Sequence, residues 1–399
     1  MADSRPDVTN RWLLPEGVDE FLPEQAEALE QLRRDLLDLF HAWGYELVMP
    51  PLIEYLESLQ VGIGHDLDIE TFKLIDQYTG RLMGVRADMT PQVARIDAHR
   101  LNREGPVRLC YMDTVLHTRQ YGFAHSRTPI QLGAELYGHA GIESDIEMLR
   151  LMVEMLKVTG VNRLHIDLGH VGIFRSLARS AQLNDEQEAF LFDALQRKDR
   201  PEIESYLAQL DVDRKCRRYL VSLVELNGDH TVLDEAESCL AGAGADIDSA
   251  LENLRRVERS ARSQLPLMPL YFDLAELRGY RYQSGVVFAA FVPGHGHEVA
   301  RGGRYDEIGR LFGRTRPATG FSSDLLTLLS LRGTRATGYS AIAAPASECE
   351  ALQRFVRQLR GTGERVISEL PGQNGDMRQT GCDRRIEKRD GQWVVVESE

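Results

Sequence analysis

The sequence predicts an α+β fold: an antiparallel sheet flanked by helices, with a helical insertion and a small C-terminal α/β tail. Strand-like segments follow one another through hairpin turns, which favours antiparallel pairing. Residues 175–265 are rich in Leu, Ala, Glu, Arg and Asp at helical spacing. After Leu331 come only a short strand, a helix and a hairpin. We therefore expect a core over 1–331, containing the insertion at 175–265, and a short C-terminal domain over 332–399.

Composition narrows the classes of function. The chain has 399 residues and a formal net charge of −14, which disfavours a polyanionic partner such as tRNA. Its five cysteines are scattered without CxxC spacing, so a disulfide framework or zinc site is not expected. No run is apolar enough to span a membrane, and MADSRPDVTNRW lacks the apolar core of a secretory signal. These features predict a cytoplasmic protein with no membrane partner.

The first hundred residues predict helix, strand, hairpin and helix. Apolar residues at helical spacing mark a helix over Pro23 to Trp43. Val48-Met49-Pro50-Pro51 predicts a strand that stops at the prolines, at a sheet edge or an interface. A hairpin is expected over Thr71 to Asp88, with glycine closing its turn. A helix follows, with Thr90 as its cap and Pro91 in its first turn.

Two further strands are expected in RLCYMDTVLH and TPIQLGAELYG. In the second strand, Gln131, Gly133 and Glu135 fall on one face by period two, and the other face is apolar. A polar face on a strand well inside the chain lines either solvent or a ligand pocket. The alternation therefore marks a candidate site without identifying its ligand.

The rest of the core predicts helices and return strands. A helix is expected over Ser144 to Thr159 and a last core helix over Gly320 to Leu331. Gly302-Gly303 is expected to form a glycine turn. In Gly294-His295-Gly296-His297 the two histidines lack a third ligand, so we interpret it as a loop and predict no metal and no cofactor. In the tail, Asp390-Gly391 closes a hairpin.

Seven segments in a fixed order carry a family resemblance. They are LPEGVDEFLPEQA, GYELVMPPLIE, VRADMTPQVAR, RLCYMDTV, QLGAELYG, ELRGYRYQSGVVF and GGRYDEIGRLFG. Each is weak alone, but in this order they resemble the catalytic core of a histidyl-tRNA synthetase over about residues 12 to 331. The resemblance implies the antiparallel sheet of the class II aminoacyl-tRNA synthetases.

The resemblance implies a histidine-binding site. The matching positions are Asp88, Thr90, Gln131, Glu135, Arg278 and Tyr282. Carboxylates and hydroxyls suit an α-ammonium group, which Asp88, Thr90 and Glu135 would supply, and Arg278 or Gln131 suits the α-carboxylate. The family's second tyrosine, which faces the imidazole, falls on Gln283 here, so the exact imidazole contact differs.

The nucleotide half of the synthetase site is not retained. The arginine and glutamate that the family uses for the α-phosphate fall on His117 and Arg119, and the arginine that stacks on adenine falls on Thr327. Both arginine positions need a planar guanidinium group, which His117 and Thr327 lack, and Arg119 places one where the family has a glutamate. The 68 residues after Leu331 (399 − 331) are also fewer than an anticodon-binding domain needs.

This pattern resembles the regulatory subunits of ATP phosphoribosyltransferase, paralogues of the synthetase. The resemblance implies a chain that is catalytically inactive by itself. It would pair with a short-form catalytic subunit in the first step of histidine biosynthesis and confer feedback control by histidine. It also implies a homodimer that does not bind tRNA. Two alternatives stay open: an active histidyl-tRNA synthetase with divergent motifs, and a scaffold with a vestigial histidine pocket.

Overall fold

A computed structural model describes residues 12–59, 71–119, 126–161, 163–264, 268–276, 279–280, 282–332, 340–372 and 381–398. The chain divides into two compact units, Met1–Gly333 and Thr334–Glu399. None of the helices in these described ranges combines the length and the apolar character that crossing a membrane requires.

The described strands are numbered in chain order. They are β1 (Glu46–Leu47), β2 (Ile53–Tyr55), β3 (Lys73–Ile75), β4 (Leu82–Val85), β5 (Val107–Thr114), β6 (Ile130–Tyr137), β7 (His165–His170), β8 (Asn227–Gly228), β9 (Leu270–Asp273), β10 (Val286–Phe291), β11 (Glu298–Arg304), β12 (Ala318–Asp324), β13 (Ala341–Ala344), β14 (Val366–Ser368), β15 (Cys382–Arg389) and β16 (Gln392–Glu397).

The described helices are numbered in the same way. They are α1 (Pro23–Ala42), α2 (Leu56–Leu59), α3 (Thr90–Arg95, continued by a π-helical segment Ile96–Leu101), α4 (Ile142–Val158), α5 (Val171–Ser180), α6 (Asp185–Gln196), α7 (Arg200–Ala208), α8 (Arg214–Ser222), α9 (Val232–Cys239), α10 (Ala245–Gln264), α11 (Ile308–Leu311), α12 (Leu325–Arg332) and α13 (Glu350–Gly361).

A nine-stranded sheet forms the centre of the larger unit. Its order is β1-β5-β6-β12-β11-β10-β7-β9-β8. The six strands from β5 to β7 are antiparallel, whereas β1 joins β5, and β9 joins β7, in parallel. The predicted α+β class is therefore confirmed, with parallel pairs only towards the edges. A separate three-stranded sheet, β2-β4-β3, includes the predicted hairpin.

The apolar face of this sheet is covered by helices. Leu132, Ala134 and Leu136 of β6 belong to the main core, together with Leu36 and Phe40 of α1 and with residues of α4. The alternation predicted for β6 is therefore confirmed. Because one face of β6 lies in the core, its polar residues must point to the opposite face.

One row of paired residues crosses that opposite face. In register it consists of Leu109, Glu135, Gly320, Gly303, Val287 and Gly169. Three of these six positions are glycine and present no side chain above the sheet. A Cβ on Gly320 would overlap the carboxylate of Glu135, and a Cβ on Gly303 would lie 2.8 Å from Gln283 Oε1, so these glycines make room for the two side chains.

Two predictions about glycines of the core were wrong. Gly320 lies in β12, and the last core helix begins only at Leu325, because the Asp324 carboxylate accepts hydrogen bonds from the first backbone N–H groups of α12. Gly302 and Gly303 lie within β11 and form no turn. A Cβ on Gly302 would come within 2.6 Å of Cβ of Phe321, so the packing of the strands requires glycine there. These glycines serve close packing within the sheet.

Thr90 does not cap α3. The helix starts at Thr90 itself, and the hydroxyl of Thr90 lies 2.9 Å from that of Tyr111. The Thr90 hydroxyl, which was predicted to cap the helix, therefore contacts Tyr111 on a distant strand instead. Pro91 does lie in the first turn, as predicted.

The smaller unit is a four-stranded sheet, β14-β13-β15-β16, with α13 packed on one face. Ile342, Leu352, Val356 and Ile386 form part of its core. Asp390-Gly391 closes the β15–β16 hairpin with φ values of 49° and 80°, as the two-residue turn requires.

Candidate functional site

Glu135 is the centre of a buried polar cluster, and its carboxylate lies above Gly320 of β12. It is 1% exposed. One carboxylate oxygen accepts a hydrogen bond of 3.1 Å from the Tyr111 hydroxyl, and the other accepts from the Tyr305 hydroxyl. Gly133 faces Tyr111 in the register and leaves room for its ring, and Gly320 does the same for the carboxylate.

Asp88, Thr90 and Gln131 continue the cluster towards α3. The Gln131 amide donates to Asp88 Oδ1 at 2.7 Å, and its carbonyl accepts from the backbone N–H of Met89 at 2.8 Å. The backbone N–H of Thr90 donates to the same Asp88 oxygen at 2.9 Å. Through Thr90 and Tyr111, these residues are connected to Glu135. The structure thus brings together four of the six residues predicted for the histidine site.

Burial controls the charge of Glu135. Loss of solvent raises the pKa of its carboxyl to about 8, although the hydroxyls of Tyr305 and Tyr111 favour the ionised form. The negative charge of Asp88 adds to the increase in pKa. The unliganded site therefore holds a largely protonated Glu135 near neutral pH, and a cationic group placed beside it would favour ionisation.

Tyr282 joins the same cluster, from a segment held by the inserted helices. Its ring stacks on Tyr305 with centroids 4.9 Å apart. Arg175 of α5 donates to the carbonyls of Tyr280 and Gln283 at 2.7 and 2.9 Å, which fixes the backbone on both sides of Tyr282. Arg278 lies outside the described residues.

Two of the three positions that match nucleotide contacts are hydrogen-bonded within the chain, and the third is exposed. The His117 ring nitrogen is 2.9 Å from the carbonyl of Ala87. Arg119 is exposed at the end of its described segment. The Thr327 hydroxyl donates to Asp324 at 2.9 Å as part of the cap of α12. His117 and Thr327 are thus tied to backbone or capping groups.

Tyr111 and Tyr305 also belong to the site, although the sequence did not predict them as members. Both lie in segments that carried the family resemblance, RLCYMDTV and GGRYDEIGRLFG. The signal that could have found Tyr111 is the register: with β5 and β6 antiparallel, Tyr111 pairs with Gly133 and shares the face of Glu135. Neither strand's own sequence specifies this pairing, because it depends on the register between β5 and β6.

Two buried arginines hold the frame of the site. Arg304 donates to Asp145 Oδ2 from two nitrogens at 3.0 and 2.8 Å, which joins the end of β11 to α4. Arg86, 1% exposed, donates to the carbonyls of Thr114 and Pro50 at 2.9 and 2.7 Å. Buried charges need such complete pairing, so these arginines fix the strands on either side of the cluster.

This antiparallel sheet with its buried carboxylate defines a histidyl-tRNA synthetase-like protein of the class II fold. The family model for histidyl-tRNA synthetase matches residues 17–328. A solved histidyl-tRNA synthetase from Nostoc sp. PCC 7120 superposes with a TM-score of 0.76 at 20% identity, covering 97% of each chain. A solved ATP phosphoribosyltransferase regulatory subunit/histidyl-tRNA synthetase from Bacillus halodurans gives a TM-score of 0.82 at 27% identity, covering 94% of this chain and 97% of its own.

The C-terminal unit and the curated relatives narrow this class. The model for the ATP phosphoribosyltransferase subunit HisZ C-terminal domain matches residues 339–396. The ATP phosphoribosyltransferase regulatory subunit of Thioalkalivibrio sulfidiphilus is 59% identical over 98% of this chain and 99% of its own. That of Alkalilimnicola ehrlichii is 56% identical over 99% of both chains. The chain belongs to the family of ATP phosphoribosyltransferase regulatory subunits.

Proposed function

We propose that this chain binds free histidine in the Glu135 cluster and reports its concentration to a separate, short-form ATP phosphoribosyltransferase catalytic subunit in the cytoplasm. The catalytic subunit condenses ATP with phosphoribosyl pyrophosphate. This chain supplies no reacting group, works as a homodimer within the hetero-oligomer, and does not bind tRNA. Histidine, the end product, acts as its inhibitory effector.

One observation carries the proposal. Asp88, Thr90, Gln131 and Glu135 form a continuous hydrogen-bonded cluster through Tyr111, whereas His117 and Thr327 are tied to other groups. The cluster offers two carboxylates and an amide, which suit the ammonium and polar ends of an amino acid. These contacts support a site for the amino acid at the positions that the resemblance predicts.

The chain is expected to be catalytically inactive by itself, because two arginines of the synthetase site are replaced. Stabilising the charge that develops on phosphate takes oriented donors, and losing one such contact typically costs about a hundredfold or more. With His117 and Thr327 at the two arginine positions, the purified chain should show no histidine-dependent exchange of pyrophosphate into ATP. A histidyl-tRNA synthetase assayed in parallel is the positive control. Robust exchange by this chain would favour the alternative of an active synthetase.

Exposed apolar surface around the sheet edge supports the homodimer. β1 is an edge strand of the nine-stranded sheet. The large apolar side chains exposed near it in sequence are Leu47, Met49, Leu52 and Ile53, with Trp12, Leu13, Leu14, Phe21 and Leu22 in the N-terminal segment. Apolar patches of this kind mark interaction sites, and a two-fold axis would pair the same patch on both copies.

The decisive experiment measures inhibition by histidine in the reconstituted complex. Glu135→Gln keeps the shape of the side chain but removes the carboxylate, so it should weaken histidine binding and inhibition by about ten- to a hundredfold. Basal catalysis should persist, because the reacting groups belong to the partner. Glu235→Gln, an exposed substitution on α9, is the matched control and should behave as wild type.

The outcomes separate the alternatives. The coupling free energy between a histidine site and a partner's ligand site is typically about 1–3 kcal/mol, which changes affinity 5- to 150-fold. Because coupling is reciprocal, binding of the partner's ligands must change the affinity for histidine by the same factor. If Glu135→Gln binds histidine and is inhibited as wild type, the effector site lies elsewhere. If wild type supports catalysis but binds no histidine, the chain is a scaffold with a vestigial pocket.

A further inference from the structure

Helix α8 exposes positive charges that the chain leaves without an acidic partner. Arg214, Lys215 and Arg218 are exposed on one side of this helix, and none of them forms an ion pair with a residue in the described part of the chain. We call these three residues the cationic face of α8. The other exposed arginines between α5 and α10 each form an ion pair within the chain; they are Arg179, Arg197, Arg200, Arg256, Arg259 and Arg262.

The charges of the cationic face do not stabilise the helix that carries them. Asp213 caps α8 by accepting hydrogen bonds from the backbone N–H groups of Lys215 and Cys216 at 2.8 and 3.3 Å, but the first turn contains no acidic residue. The N-terminal end of a helix dipole is positive, and like charges four positions apart repel each other. Arg214 and Arg218 therefore oppose the formation of α8, which points to a role outside the chain.

Contacts around Tyr219 hold the cationic face in a fixed orientation. Tyr219 is buried, and its hydroxyl donates to the carbonyl of Ala241 at 2.6 Å. The Lys215 ammonium group donates to the carbonyl of Gly242 at 3.3 Å. Both this ammonium group and the Arg218 guanidinium lie 5.6 Å from the centre of the Tyr219 ring. Side chains that are ordered in advance lose less conformational entropy when a partner binds, so this arrangement suits a binding surface.

The cationic face belongs to the β8 end of the nine-stranded sheet. The Cys216 thiol of α8 lies 3.6 Å from the carbonyl of Leu177 in α5, and the chain continues from α8 into the edge strand β8. The opposite edge, β1, is the one that we assign to the homodimer. A two-fold contact through α8 itself would bring like charges together. The cationic face is therefore available to a different chain.

The partner that fits this face has an acidic surface, because interfaces are complementary in electrostatic potential. Nucleic acid fits less well than protein. The whole chain carries a formal charge of −14, and Tyr219, the aromatic residue of α8, is buried and cannot stack on a base. Three cations on little more than one helical turn match a small group of carboxylates on a folded protein.

We propose that the cationic face of α8 docks an acidic patch of the separate catalytic subunit and orients the two chains as they associate. The inference rests on the proposed function, which supplies that subunit. Exposed charges at an interface act mainly on the association rate and its salt dependence, because long-range attraction steers the encounter while solvent screens the final contact. The cationic face thus sets how fast the hetero-oligomer forms.

Association kinetics of the full-length chain with the catalytic subunit test this inference. A double variant, Arg214→Gln with Arg218→Gln, removes two charges and keeps both side chains polar. Its association rate constant at low salt should fall by about tenfold, and added salt should reduce the difference from wild type. The matched control, Arg179→Gln with Arg259→Gln, removes the same charge from arginines that are paired within the chain and should associate as wild type does.

Thermal unfolding of the chain alone separates docking from folding. Removing the charges of Arg214 and Arg218 relieves unfavourable interactions in α8, so the Tm of the free double variant should stay the same or rise. The control variant loses the ion pairs of Arg179 with Asp246 and of Arg259 with Glu252, so its Tm should not exceed that of wild type. Slow association by a variant as stable as wild type shows that a contact with the partner has been lost.

The results that overturn this inference differ from those that overturn the proposed function. If the complex forms and is inhibited by histidine, but the double variant associates at the wild-type rate at low salt, the inference fails alone. Slow association together with a lower Tm of the free double variant also overturns it. If wild type binds tRNA and the double variant does not, the cationic face serves nucleic acid and the inference is wrong. If wild type does not assemble with the catalytic subunit, the proposed function fails and the inference fails with it.

Discussion

At the scale of single residues, Glu135 sets the chemistry of the candidate site. Its folded pKa of about 8 lies above the ordinary value for glutamate of about 4.3, because burial disfavours the ionised form. The folded state therefore binds the proton more tightly than the unfolded state. The stability that the Glu135 carboxyl contributes at low pH is therefore lost as the pH rises from about 4.3 to about 8. A ligand cation offsets the loss by pairing with the ionised form.

The same residue predicts how histidine binding depends on pH. If the ionised carboxylate is the binding form, affinity should increase several-fold between about pH 7 and 8.5, as Glu135 loses its proton more readily. Calorimetry across this interval should show that increase in wild type. Glu135→Gln has no carboxyl at this position, so its affinity should stay nearly constant over the same pH interval. An equal slope in both proteins would assign the titration to another group.

At the scale of elements, glycines in paired strands make room for buried polar side chains. Gly320 in β12 and Gly303 in β11 are directly paired, and the space left by their missing Cβ atoms is occupied by the carboxylate of Glu135 and the side chain of Gln283. The neighbouring Gly133 in β6 admits the ring of Tyr111. The strands thus provide both the rigid floor of the site and the room for its buried side chains.

Gly320→Ala should disrupt this arrangement. Its Cβ would lie 2.6 Å from Cδ of Glu135 and 2.7 Å from the carbonyl oxygen of Ala134, both too close for an unstrained contact. We expect a loss of about 1–3 kcal/mol in the free energy of unfolding, with histidine binding weakened as Glu135 is displaced. Gly296→Ala, where the added Cβ meets nothing within 4 Å, is the control and should be near neutral in urea denaturation. Equal effects of the two substitutions would contradict the packing argument.

At the scale of the whole molecule, the two ends of the nine-stranded sheet differ. β8 ends one edge, and β1 ends the other, with Leu47 of β1 and the nearby Met49 both exposed. An uncovered edge bordered by apolar side chains is a liability unless another chain covers it. The proposed homodimer covers this edge with the same edge of a second copy.

Met49→Asp should therefore weaken the dimer. Met49 is 71% exposed, and a carboxylate placed there would face its own symmetry mate in a two-fold interface or lie buried without a partner. Sedimentation at micromolar concentration should move from dimer towards monomer. Leu311→Asp, at a residue 53% exposed on α11, is the control and should leave the association state unchanged. A dimer that persists in Met49→Asp would place the interface on another surface.

The sequence by itself determined the fold class and most of the elements. Period-two alternation placed Gln131 and Glu135 together on the face opposite Leu132, because successive side chains of a strand point to opposite faces. Asp390-Gly391 closed the tail hairpin because the turn requires positive φ at both positions. The ordered motifs were enough for the family. These features depend on residues close together in the chain.

Only the tertiary structure decided where long-range partners meet. Thr90 bonds to Tyr111 instead of capping α3, and Gly302 and Gly303 continue a strand where a turn was expected. Strand pairing brings Tyr111, Tyr305 and Glu135 together although up to 170 positions separate the last two. Burial of that carboxyl, which raises its pKa, likewise comes from neighbours on other strands. Local sequence specifies which residues share a face, but the register between distant strands decides which faces meet.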